Sequence, residues 1–175
     1  MLKKILSLLI LTIFLSSCGF RLKGFNEVKS DAYKNIKVSV VSSPGNHDLR
    51  VIGVLKQKIK GFNFEYVSNV KDSNYYIEII DAKYNKEIQT KSSTGLIKQY
   101  LLKFYVKYII YKHSSKGEFN IVKSTDVIHL QTDYTYEPQN ILGSDSEEDI
   151  IAANLRKDAA SRILNVLIQT LEIKN

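Results

Sequence analysis

Ile36-Lys37-Val38-Ser39-Val40-Val41 alternates apolar and polar side chains, the period of a strand with one buried face. Ser42-Ser43-Pro44-Gly45-Asn46 then supplies turn residues that end it. From His47 to Lys60 the period lengthens. Leu49, Ile52, Leu55 and Ile59 recur at three- and four-residue steps, which predicts an amphipathic helix, and Gly61 stands where a C-cap belongs. Phe62 to Val67 reads as a short extended piece and Tyr75 to Asp81 as a strand.

The longest alternation runs from Lys98 to Tyr111. Tyr100, Leu102, Phe104, Val106, Tyr108 and Ile110 share one face, while Gln99, Lys103, Tyr105 and Lys107 share the other. Fourteen residues at period two span about 45 Å at about 3.3 Å per residue. Ser114-Ser115-Lys116-Gly117 makes the turn, and Ile121 to Tyr136 returns with strand-favouring Thr, Val, Ile and Tyr. The last element is helical. Ser144-Asp145-Ser146-Glu147 has the spacing of a capping box, and Ile151, Leu155, Ala159, Ile163, Val166 and Leu171 form the apolar stripe behind it. Arg156, Lys157 and Arg162 are expected away from that stripe or flanking it. The order strand, helix, strands, helix predicts an α+β sandwich with its helices on one face of a mixed sheet.

Ahead of these elements Lys3 and Lys4 precede an apolar run, Ile5 to Leu15, and then Ser16, Ser17 and Cys18, the only cysteine. The run is short of the about 20 residues a spanning helix needs, so residues 1–17 read as a cleavable signal. A thiol directly behind two small residues is where bacterial lipoproteins receive their lipid. Cys18 is accordingly expected to be the first mature residue, N-palmitoylated and S-diacylglycerol-modified; the other reading is an ordinary signal with an incidental cysteine. Gly19 in place of an Asp predicts delivery to the outer membrane, lipid-anchored on its periplasmic side. Residues 18–34 read as a tether and 35–175 as one domain.

Charge adds little. The chain carries +7, and without Lys3 and Lys4 there are 23 basic against 18 acidic residues. In an exported protein that balance points to anionic envelope partners rather than nucleic acid. A Lys- and Asn-rich composition bias would give it equally. Catalytic chemistry is not indicated. His47, His113 and His129 fall in separate elements with no metal spacing, no nucleophile elbow surrounds a Ser, and no Gly-rich phosphate loop is present. Asp145, Glu147, Glu148 and Asp149 read as helix-start acids. A non-enzymatic protein without cofactor or metal is expected. Tyr interleaved with Lys from Tyr100 to Tyr111 suits a binding face, the other reading being a sheet whose outer face is simply solvated.

Three stretches carry a family resemblance. Cys18-Gly19-Phe20-Arg21-Leu22-Lys23-Gly24 is similar to the mature N-terminus of LptE lipoproteins of Gram-negative outer membranes. Asp133-Tyr134-Thr135-Tyr136 with Asn140-Ile141-Leu142-Gly143 resembles that family's strand end and Leu-Gly turn, and Leu155 to Leu164 its closing helix. The resemblance implies two helices packed on one face of a mixed, largely antiparallel four-stranded sheet. It implies a non-catalytic plug of the LptD β-barrel, one to one, that helps the barrel assemble and contacts lipopolysaccharide on its way to the outer leaflet. Ser144 stands where many relatives carry a lipopolysaccharide-linked Lys. For the family's other basic contact, in the loop before the long strand, Lys91 is a near match and Lys86 the outlying candidate. The runner-up function is an independent lipoprotein that ferries a lipid or glycolipid. It would need an acyl-chain cavity that the narrow helical stripes do not predict.

Overall fold

The computed structural model of the chain describes residues 33–45, 48–114, 117–139 and 141–172. The signal, Cys18, the tether up to residue 32 and His47 lie outside the described residues. The elements are β1 (Lys37–Ser42), α1 (Arg50–Gly61), β2 (Glu65–Tyr66), a 3-10 turn (Val70–Asp72), β3 (Tyr75–Lys91), β4 (Ile97–His113), β5 (Phe119–Thr135) and α2 (Ile141–Glu172). No helix among the described residues is long and apolar enough to cross a membrane.

The fold is α+β with both helices on one side of the sheet, but the sheet differs from the expected one. Among the described residues it has five strands in the order β2-β1-β3-β4-β5, not four. β1 pairs in parallel with both β2 and β3, whereas β3–β4 and β4–β5 are antiparallel, so the sheet is mixed rather than largely antiparallel. The extra member is Glu65–Tyr66, a pairing of only two residues. Nothing in so short a stretch carries a period; it is a strand because α1 returns the chain alongside β1.

The alternation of β4 decides the core. Leu102, Phe104, Val106, Tyr108 and Ile110 are buried; Ile77, Ile79 and Ala82, the β3 partners of Ile110, Tyr108 and Val106, share that face, and Tyr75 is buried beside them. Against them pack Val51, Leu55 and Ile59 of α1 and Leu155, Ala159, Ile163, Leu164 and Leu167 of α2. Each of these Val, Leu and Ile side chains contributes roughly 1.5–3 kcal/mol on burial. The packed core begins at Tyr33, which stacks on Phe64 at 4.9 Å between centroids.

Element ends differ from the sequence expectation in four places, each with a physical reason. α1 starts at Arg50, so Leu49 precedes it and is 60% exposed; the buried stripe is Val51, Leu55 and Ile59, with Ile52 half-buried. Gly61 is the last helical residue and not the cap. The turn to the left-handed region comes at Asn63, with φ 61°. There the Phe64 N–H donates to the Ile59 carbonyl at 3.2 Å and the Asn63 N–H to the Lys60 carbonyl at 3.1 Å, a Schellman closure with Phe64 packed near Ile59. β3 continues ten residues past Asp81, as a largely exposed arm that pairs with β4 up to Lys91. α2 begins at Ile141, three residues ahead of the expected capping box, which places Ser144 inside the helix.

Candidate functional site

The outer arm of the β3–β4 hairpin meets the start of α2, and the chain's polar side chains converge there. Lys86 occupies a β3 position on the helix side of the sheet, opposite Leu102. Its ammonium lies 4.1 Å from the Tyr100 ring centroid and 5.9 Å from those of Tyr134 and Tyr136. Glu148 of α2 closes this aromatic cage by pairing with the Lys86 ammonium, and its other oxygen accepts a 3.0 Å bond from the Tyr84 hydroxyl. Burial alone would lower the Lys86 pKa. The bond and charge of Glu148 outweigh it, and the value ends above that of an ordinary lysine. Burial, joined by Glu148, pushes the Tyr84 phenol well above its usual range. Glu148 is thus a partner of the hairpin, not a helix-start acid serving the dipole.

Ser144 has a second structural duty there. Its carbonyl accepts a buried 2.6 Å hydrogen bond from the Tyr134 hydroxyl, and its hydroxyl donates to the Glu137 carbonyl at 3.4 Å. Tyr134 therefore ties the end of β5 to the first turn of α2. Lys91 is placed differently from Lys86. It ends β3 opposite Ile97, exposed, beside the turn that joins β3 to β4. The structure places the two candidate cations on one strand, Lys86 ion-paired and flanked by rings with its side chain 29% exposed, and Lys91 in solvent.

A buried ion pair behind this cluster was not legible in the sequence. Arg156, expected away from or flanking the apolar stripe, is instead only 4% exposed. Its Nε donates to Asp48 Oδ2 at 2.8 Å and its Nη2 stands 2.7 Å from the same oxygen. Arg50 adds a 3.2 Å contact to Asp48 Oδ1 from the surface. Burial pushes the Asp48 carboxyl up, but the hydrogen bonds from Arg156 and then Arg50 prevail and hold it below the ordinary carboxylate value. The guanidinium also lies 5.6 Å from the Tyr84 ring and 5.9 Å from Phe104. The sequence signal, in hindsight, is the buried small pair Ala152 and Ala160, which leaves room for a large side chain one turn from each.

Tyr100 and Tyr108 of the Tyr/Lys run face the helices, while Lys103, Tyr105, Lys107 and Tyr111 lie on the opposite face of the sheet. Tyr76 stacks on Tyr111 at 4.3 Å, with Phe119 edge-on at 4.9 Å and His113 stacked on Phe119. Glu78 accepts from Tyr111 at 3.1 Å, and burial followed by that bond pushes the Tyr111 phenol up to about 12. Further along, Lys83, Asn85, Lys103, Tyr105, His129 and Gln131 line an open cavity of ≈ 350 Å³. Lys83 pairs with Asp81 and Lys103 with Glu87, so this face alternates charge around aromatic rings. His113 and His129 both serve it as ring partners, one to Phe119 and one to Tyr105.

A one-sided sheet with two covering helices, a polar aromatic outer face and a latched hairpin arm define a two-layer α+β module. Solved lipoproteins share it. The rare lipoprotein B of Shewanella oneidensis superposes with a TM-score of 0.61 at 18% identity, covering 79% of this chain and 99% of that one. Lipoprotein B of Nitrosomonas europaea gives 0.63 at 21% identity over 74% and 79% of the two chains. A minor lipoprotein of Acinetobacter baumannii gives 0.54 at 18% over 75% and 87%. At these identities they show the fold alone. No curated protein matches the chain in sequence. Residues 34–167 match the family LptE, described as lipopolysaccharide-assembly, and the chain belongs to that family.

Proposed function

We propose that this chain is an outer-membrane lipoprotein that plugs and helps assemble a large LptD-type β-barrel, and that the pair delivers lipopolysaccharide to the outer leaflet. The family match over residues 34–167 carries the reading. The shape supports it. Three strands of 17 residues reach about 56 Å at about 3.3 Å per residue, a tall body for a small domain. Their outer face offers paired charges and tyrosines, the surface that suits a polar barrel lumen. The space between sheet and helices is filled by Leu102, Phe104, Ile163 and Leu164, which favours a binding role over an acyl-chain ferry. The chain works without catalysis and without a cofactor in this reading. Cys18 carries the lipid that holds it on the periplasmic side.

Lipopolysaccharide contact is assigned to Lys91 and Lys86. Lys91 is exposed and presents its ammonium to a phosphate directly; Lys86 retains N–H donors beyond the one held by Glu148. Two measurements test the proposal. A mild-detergent pull-down of the lipidated protein should recover a large β-barrel at one to one, and recovery of the chain alone with bound lipid would overturn the plug reading in favour of the ferry. Lys86→Ala with Lys91→Ala should weaken lipopolysaccharide binding by the folded protein, and unchanged binding would remove both residues from the contact.

A further inference from the structure

The chain enters the described fold at Tyr33, and the surface at that entry is basic. Lys34 and Lys60 line a cavity of ≈ 400 Å³ with Asn63, Phe64 and Glu65. The ammonium groups of Lys56 and Lys60 lie 5.4 and 5.6 Å from the Tyr66 ring centroid. Glu65 is engaged by Lys37 at 3.8 Å, with both side chains about half exposed. Lys34, Lys56 and Lys60 have no acidic ion-pair partner among the described residues, so the cluster keeps an excess of positive charge. Its position follows from the fold. β1 starts here, α1 runs back to end here in Lys58 and Lys60, and the hairpin tip beyond Lys91 lies at the far end of β3.

We propose that this basic end docks on the anionic phospholipid headgroups of the leaflet that holds the Cys18 lipid. The proposal rests on the anchored-lipoprotein reading. Fifteen positions separate Cys18 from Tyr33, and a chain of that length reaches at most about 50 Å when extended. The tether thus bounds the distance of the entry end from the headgroups, whereas the hairpin tip lies a further strand length away along β3. Lysine ammoniums are compact charges suited to lipid phosphate, and Tyr66 between them has the amphipathic ring that settles at headgroup depth. Charge complementarity selects an anionic leaflet, and the attraction falls off within a Debye length of it. The basic excess of the chain then has a place: it orients the domain on the membrane.

The test uses the lipidated protein in vesicles of phosphatidylethanolamine with either phosphatidylglycerol or phosphatidylcholine. Cys18 is occupied by lipid, so a dye on Gln57→Cys in α1 or on Ser93→Cys at the hairpin tip reports proximity to a headgroup-borne quencher. Phosphatidylglycerol should raise quenching at position 57 and leave position 93 unchanged, and roughly 1 M salt, with a Debye length of about 3 Å, should abolish the rise. Lys34→Gln with Lys56→Gln and Lys60→Gln should lose the phosphatidylglycerol response while still floating with the vesicles, and arginine at the three positions should restore it. Equal quenching in the two lipid mixtures, or an unchanged response in the glutamine variant, would overturn the proposal. A protein that fails to float would instead overturn the anchor, and the docking proposal with it.

Discussion

Replacing Arg156 by methionine keeps the length and apolar stem of the side chain but strands Asp48, whose own side chain is 4% exposed. Removing one member of a buried pair costs about 3–5 kcal/mol, because the remaining charge is desolvated without compensation. Arg50 still reaches Asp48 from the surface at 3.2 Å, but its side chain is 68% exposed and screened by solvent. The lower end of the range, about 3 kcal/mol, is therefore expected. For a domain of this size that is a fall of roughly 6–12 °C in Tm. Urea unfolding of the detergent-solubilised protein measures it through the midpoint at constant m.

The same variant carries a pH signature. In the native protein the Asp48 pKa lies below its unfolded value, so its contribution is present above the unfolded carboxylate pKa and is lost as pH falls through the folded one. Without Arg156 the largest of the lowering contacts is gone, and the folded pKa should rise toward or past the unfolded value, with Arg50 opposing the rise. The penalty should then shrink as pH falls through the carboxylate range. Asp48→Asn added to Arg156→Met should recover part of the loss at neutral pH, since the two residues act as one unit. A cost below about 1 kcal/mol, the range of exposed pairs, or a penalty flat with pH would refute the reasoning.

Asn63→Val forces a β-branched residue into the left-handed region and should cost about 1–2 kcal/mol more than Asn63→Gly, which keeps that conformation without strain; thermal unfolding distinguishes them. Tyr134→Phe leaves the Ser144 carbonyl without its buried donor and should destabilise by about 1–3 kcal/mol, with amide exchange rising first in the opening turns of α2. Glu78→Gln should bring the Tyr111 phenol down from about 12, as followed by NMR titration of ring-labelled tyrosine; no change would show that the 3.1 Å bond between them is not what holds the proton. Lys91→Ala alone should weaken lipopolysaccharide binding without moving the unfolding midpoint, while Lys86→Ala should move both, because Lys86 also bridges the hairpin to α2.

The elements with a strong period were legible and the contacts between them were not. Lys98 to Tyr111 alternates because one face of β4 is covered by helices, and α2 shows its stripe because it lies on that same face. The second half of β3 has no such record. Beyond Tyr84 little of the arm is buried, so no apolar alternation is required of it, and only the ladder to β4 makes it a strand. Lys86 illustrates the limit. In the sequence it is one of many surface lysines; in the fold it faces the helix side, where Tyr100 and Glu148 contact it and Tyr134 and Tyr136 stand nearby.

By itself, then, the sequence determined the strand character of β1, β4 and β5, the helical character of α1 and α2, the buried face of β4 and the family, since these rest on local period and on the order of short motifs. Tertiary structure alone decided the parallel placement of β1 between β2 and β3, the left-handed turn at Asn63, the burial of Arg156 and the role of Ser144. Each depends on partners far away in the chain. Asp48 and Arg156 are separated by 108 positions, and no pattern along the backbone records that a carboxylate at one helix entry will neutralise a guanidinium in another helix. Burial requires that pairing, and only packing reveals which residue supplies it.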